Sequence, residues 1–142
     1  MLVDPFLSLR GGPAGADEAI SDREKPSVAK SLETLNIKGT MPTAEAAWTH
    51  LQGAIDGARL RGVRILKVVH GYGSSGVGGK IRRRVRSGVG KMVESGKLKG
   101  MVFGEDWGPF SATARGWVDA FPALRNDSDY GKGNEGITLI QV

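Results

Sequence analysis

Apolar positions along this chain switch between two periods, and each switch marks an element. Residues 35–39 (Leu-Asn-Ile-Lys-Gly) alternate and close on glycine, which predicts a short strand. Thr43, following Pro42, is placed as an N-cap, with Glu45 in the positive first turn behind it. Ala47, Leu51, Ile55 and Ala58 then recur at helical spacing beside Trp48, up to Gly62. Residues 64–70 hold Ile65, Leu66, Val68 and Val69 in a near-continuous run, the mark of a strand covered on both faces. After a glycine-rich turn, Ile81, Val85, Val89 and Met92 form a second helical stripe that Gly96 ends. Residues 98–103 predict a third strand, and Gly136 introduces a last one over 137–142.

Strands and helices in this order predict an α/β fold: a two-layer α/β sandwich with a mixed four-stranded sheet and two helices. The β–α–β units imply pairing that is at least partly parallel. Residues 104–135 form an aromatic-rich insertion before the last strand, with Trp107, Phe110, Trp117, Phe121 and Tyr130. A structureless loop of about 30 residues is unusual inside a domain, so a short helix over 112–118 and packing onto the sheet are expected. Residues 1–31, with Gly-Gly-Pro, clustered acids and Pro26, sustain no apolar period and read as a flexible extension. The domain proper is residues 32–142.

Composition narrows the chemistry. The chain has no cysteine, which excludes disulfides and thiolate metal centres. Its two histidines, His50 and His70, fall on different elements, so no metal site is predicted. No apolar run approaches the ~20 residues that span a bilayer, and the N-terminus lacks the basic region of a signal peptide. A cytoplasmic protein with no membrane partner is expected. The net charge of +5 is unevenly spread: residues 58–100 hold twelve Lys and Arg against one acid, Glu94, leaving eight basic and fourteen acidic residues elsewhere. Such a bias suits a polyanion, with DNA or RNA ahead of acidic lipid headgroups.

The segment from Gly71 to Gly76 reads G-x-G-x-x-G between a strand and a helix, as dinucleotide sites do. Two features oppose that reading. The acid expected to end the next strand is missing, and Gly78 and Gly79 are expected to delay the helix. A Walker loop fails as well, because its glycine spacing is off by one and Ile81 follows Lys80 where Ser or Thr would bind magnesium. What remains is a phosphate cradle: glycines expose backbone N–H groups, and a helix N-terminus adds partial positive charge. Gly71, Tyr72, Gly73, Ser74, Ser75, Gly76, Gly78, Gly79, Lys80, Arg82, Arg83 and Arg86 are the candidate phosphate and nucleic-acid contacts. Tyr72 is open to stacking on a base or to packing. His70, at the C-terminal end of its strand, is either a proton donor and acceptor for a phosphodiester or a hydrogen-bonded residue that fixes the turn.

These residues resemble the small MutS-related (Smr) domain family across roughly residues 32–142. Val69-His70-Gly71-Tyr72-Gly73, followed by Gly78-Gly79-Lys80-Ile81-Arg82, is similar to the family's His-Gly-x-Gly motif, and Gly133 to Thr138 resembles its glycine-rich approach to the last strand. The resemblance implies a sandwich like the C-terminal domain of translation initiation factor three, and a nucleic-acid-binding module that nicks DNA or cleaves RNA. On a nuclease reading His70 is the catalytic general acid/base, Lys38, also counted as catalytic, and Lys80 stabilise charge at the phosphate, and a divalent metal is left open. The family's first strand reads Leu-Asp-Leu-His-Gly; here it reads Leu35-Asn36-Ile37-Lys38-Gly39. The alternative is therefore a DNA- or RNA-binding module that has lost the Asp/His pair. The acids of the insertion, Glu105, Asp106, Asp119, Asp127 and Asp129, are candidates to replace the missing carboxylate.

Overall fold

The structure, a computed structural model, describes residues 31–38, 43–72 and 76–142; residues 1–30 of the extension read over 1–31, residues 39–42, with Gly39 and Pro42, and the turn residues Gly73, Ser74 and Ser75 lie outside the described residues. Among the described residues four strands and three α-helices follow in the order β1 (Leu32–Asn36), α1 (Ala44–Leu60), β2 (Ile65–Val69), α2 (Gly76–Glu94), β3 (Gly100–Phe103), α3 (Ala112–Ala120) and β4 (Ile137–Gln141). Short 3-10 turns occupy Gly104–Asp106 and Pro122–Asn126. The sheet order is β1-β2-β4-β3. β1 and β2 are parallel, whereas β4 runs antiparallel to both β2 and β3. The C-terminal ends of β1, β2 and β3 therefore share one edge of the sheet with the start of β4.

Side-chain alternation assigns each face its cover. Leu66, Val68 and Ile140 meet Ala47, Trp48, Leu51 and Ile55 of α1 and Ile81, Val85 and Val89 of α2. Ile65, Val102, Ile137 and Leu139 face the other way, onto Trp107, Ala114, Trp117, Val118 and Leu124. The sheet with its two helices is thus joined by a third helical layer, built from the insertion. Trp107 is its pivot, 1% exposed, with Tyr130 edge-on at 5.1 Å and Trp117 tilted at 6.0 Å.

β2 carries one departure from the apolar run, Lys67. It projects toward the insertion, where its ammonium donates to Asp127 and Asp129 at 2.7 Å each. Trp107 Nε1 donates to the same Asp127 carboxylate at 3.1 Å. Burial disfavours the Lys67 ammonium, but the hydrogen bonds and charges of the two aspartates outweigh it, so its pKa is raised. Lys67 therefore drops out of the basic surface read from the sequence. Asp127 and Asp129 likewise serve this buried cation rather than a substrate.

Boundaries moved for identifiable reasons. β1 begins at Leu32, three residues before the alternation in 35–39, and Ile37 is buried just past its end. α2 begins at Gly76, so Gly78 and Gly79 lie in its first turn and do not delay it. A glycine costs about 1 kcal/mol in a helix, a penalty spread here over a helix anchored by its apolar stripe. Thr43 caps α1 as expected, accepting from Ala46 N at 3.0 Å.

Candidate nucleic-acid interface

The edge where β1, β2 and β3 end gathers the predicted residues. Beyond β2 the chain turns through Gly71, whose φ of +84° is the left-handed region that favours glycine. Gly136, ahead of β4, accepts the backbone N–H of both His70 and Gly71 at 3.0 Å. That carbonyl fixes the start of the glycine turn. Beyond β1, Asn36 Oδ1 accepts from Lys38 N at 2.8 Å and turns the chain, so Asn36 performs the local hydrogen bonding that an Asp would. The Lys38 side chain then lies across Gly71, with Cγ, Cδ and Cε 3.4–3.6 Å from where a Cβ on Gly71 would stand. Lys38 and the turn are therefore neighbours, although 33 positions separate Lys38 from Gly71.

His70 is 1% exposed. Its Nδ1 lies 2.8 Å from the Gly71 carbonyl oxygen, and a carbonyl only accepts, so Nδ1 carries the proton. Nε2, 2.8 Å from Thr138 Oγ1, then accepts from that hydroxyl. The hydroxyl in turn accepts from Arg86 Nε at 3.0 Å. Burial, opposed by the Gly71 hydrogen bond and reinforced by the charges of Arg86 and Arg82, lowers the His70 pKa to about 4. The imidazole is neutral at physiological pH, with both ring nitrogens engaged inside the fold.

The arginines of α2 divide by helix face. Arg86 grips Glu105 bidentately at 2.7 and 2.9 Å, donates to the Ile137 carbonyl at 3.0 Å, and lies 4.1 Å over the Phe103 ring. Hydrogen bonds from Arg86, against an opposing burial effect, hold the Glu105 carboxyl below its ordinary pKa. Arg82 donates to the Tyr72 carbonyl at 2.9 Å and pairs with Glu135 at 3.5 Å. These two arginines brace the site from behind. Lys80 and Arg83 are exposed and form no ion pair among the described residues. Tyr72 is 60% exposed, with its backbone carbonyl held by Arg82. Gly76, Gly78 and Gly79 lie in a first turn of α2 that holds no acid, whereas the N-terminus of α1 is already closed by Thr43.

The structure thus brings Lys38 to Gly71 and Arg82 to Tyr72, leaves Lys80 and Arg83 exposed on α2, and draws Arg86 inward. Thr138 was absent from the candidates, though a threonine in the apolar run Ile137-Thr138-Leu139-Ile140 marks a buried hydroxyl that needs a partner. Among the described residues no group of three or more His, Asp or Glu is arranged to hold a metal ion, and no helix is long and apolar enough to cross a membrane.

No curated protein matches the chain. Among solved structures, the crystal structure of the Smr domain of Thermus thermophilus MutS2 is similar, with 17% identity and a TM-score of 0.48 over 77% of this chain and 95% of that one. From within β1 to the turn before β3, residues 35–99 match the family model of the Smr domain, a stretch that holds the strand, the glycine turn and the basic helix of this site.

Proposed function

We propose that this domain binds the sugar–phosphate backbone of DNA or RNA at the glycine turn and holds it without acid–base chemistry from His70. Smr domains are nucleic-acid-binding and nicking modules, which supports the ligand class. The observation that carries the reading is the burial of His70 with both ring nitrogens bonded to Gly71 and Thr138. A group so placed organises the turn and does not reach a phosphodiester. The backbone N–H groups of the first turn of α2, the Lys38 and Lys80 ammoniums and the Arg83 guanidinium receive the phosphate. Tyr72 offers its ring to an unstacked base. A dinucleotide is disfavoured, because β4 lies between β2 and β3 and separates the two strand ends that would share it.

Nicking is the second reading, and the position of Lys38 across Gly71 favours it, since an ammonium there would stabilise charge on a reacting phosphate. Supercoiled plasmid, branched DNA and single-stranded RNA, incubated with Mg²⁺ or Mn²⁺, separate the two. Binding without cleavage is expected of the wild type. Cleavage by the wild type that His70→Gln abolishes, with binding retained, would overturn the non-catalytic reading.

A further inference from the structure

The proposed site occupies one end of α2, but the cations of that helix continue past it. α2 has 19 residues and is about 28 Å long at 1.5 Å per residue. Lys80, Arg83, Ser87 and Lys91 share its solvent face at helical spacing, and all four are exposed. Lys80 and Lys91 stand three turns apart, roughly 16 Å along the axis. At the far end Gly96, with φ +82°, reverses the chain, and Lys97 N bonds to the Met92 carbonyl at 2.8 Å. Leu98 is buried between exposed Lys97 and Lys99, so both lysines point outward where the helix stops.

Lys80, Arg83, Lys91, Lys97 and Lys99 form no ion pair among the described residues. The bordering carboxylates are Glu94, at the end of the same face, and Glu45 of α1, which is already paired with Arg84 at 2.7 Å. Arg84 is also stacked on Trp48, 4.7 Å from the ring, and so belongs to the helix–helix seam. A face with five cations and one acid of its own, running away from a phosphate cradle, is much larger than a single phosphate requires.

We propose that the exposed face of α2, with Lys97 and Lys99 beyond it, is a track for a polynucleotide backbone that enters at the glycine turn and leaves at the opposite edge of the sheet. The inference rests on the nucleic-acid reading above and adds the path and extent of the ligand. The ligand is then a strand of several nucleotides, and affinity grows with its length until the track is filled.

Fluorescence anisotropy with a labelled 30-nucleotide strand and a labelled trinucleotide tests this. The triple variant Lys91→Gln, Lys97→Gln, Lys99→Gln is expected to bind the long strand more weakly and to lower its log K against log salt slope by about 2 to 3, at roughly 0.7 to 0.9 per phosphate contact. The same variant is expected to leave trinucleotide binding unchanged. Lys80→Gln with Arg83→Gln should weaken both ligands. An unchanged slope and affinity in the triple variant, with Lys80→Gln and Arg83→Gln still impaired, would overturn the track and leave the glycine-turn site standing. Indifference of both ligands to both sets of substitutions would overturn the site as well. Vesicles of acidic phospholipid bound in a Lys91-, Lys97- and Lys99-dependent way, with no oligonucleotide binding, would overturn it in favour of a membrane surface.

Discussion

Replacing Lys67 with Met tests whether the insertion is locked to the sheet by charge. The Lys67 side chain is 7% exposed, Asp127 9% and Asp129 24%, so the group is nearly dry. Methionine keeps the length of the stem and removes the charge. Both carboxylates then remain in place with no cation, and breaking a buried pair in this way costs about 3–5 kcal/mol. With a urea m-value near 2 kcal/mol per molar, the midpoint falls by roughly 2 M. The sign of the pH dependence follows from the shifts. The Lys67 pKa is raised, so its contribution is present below 10.5 and lost as pH climbs through the folded value. The Asp129 pKa is lowered by its hydrogen bond from Lys67, against burial, so its contribution is present above 3.8 and lost as pH falls through the folded value. In the variant Asp129 loses the hydrogen bond that holds its pKa down and takes up a proton more readily, so the deficit should be greatest near neutrality and shrink toward pH 4. Urea titrations at pH 7.0 and 4.5, followed by tryptophan fluorescence, measure this. A deficit below about 1 kcal/mol, or one that does not change with pH, would refute the reasoning and reduce Lys67 to packing.

Three further outcomes are expected. A Cβ on Gly88 would lie within 2.7 Å of three Trp48 ring carbons, so Gly88→Ala should cost about 1–3 kcal/mol by forcing α1 and α2 apart, read by thermal unfolding. The His70 pKa falls from 6.5 to about 4. The unfolded chain therefore takes the proton first, and His70 contributes stability above pH 6.5 that is lost between 6.5 and 4, at up to ~1.4 kcal/mol per unit. NMR of the imidazole should show no titration above pH 5, and a midpoint near 6.5 would contradict its burial. Tyr72→Ala should leave stability within about 0.5 kcal/mol and weaken single-strand binding by roughly 1–3 kcal/mol; equal loss for a blunt duplex would remove the stacking role.

The sheet and its two long helices were legible because their signals are local and repeat. Thr43, the stripe from Ala47 to Ala58 and the stripe from Ile81 to Met92 all lie where the periods put them. α3 was also legible, since the aromatic density of 104–135 demanded burial, and its N-cap Ser111 accepts from Ala114 N at 3.2 Å. The partition of charge was not. Arg82, Arg83 and Arg86 are equivalent in sequence, yet helix geometry turns Arg83 outward and directs Arg86 onto Glu105. Which cation meets solvent depends on long-range pairings, and no local pattern encodes them. Asn36 read as a lost acid when taken alone; in the structure its oxygen still makes the turn that places Lys38.

Those long-range pairings also connect the insertion to the glycine turn. Lys67 holds Asp129, whose carboxylate accepts from Asn134 Nδ2 at 3.0 Å. Asn134 Oδ1 accepts from Gly136 N at 2.8 Å, and the Gly136 carbonyl takes the His70 and Gly71 N–H groups. Gly136 is tight here, because a Cβ on it would stand 3.1 Å from Asn134 Oδ1, with the Gly71 carbonyl carbon in contact at 3.4 Å. A displacement of Asn134 is therefore expected to reach the turn through the Gly136 peptide. From the other side, Glu105 of the insertion grips Arg86, which bonds Thr138 and through it His70. The start of the turn is thus held at two points, both governed by side chains of the 104–135 segment. A segment that supplies none of the proposed phosphate contacts still sets the geometry of the residues that do. Loosening it at Lys67 should then weaken nucleic-acid binding as well as stability, even though Lys67 lies buried on the face of the sheet opposite α2.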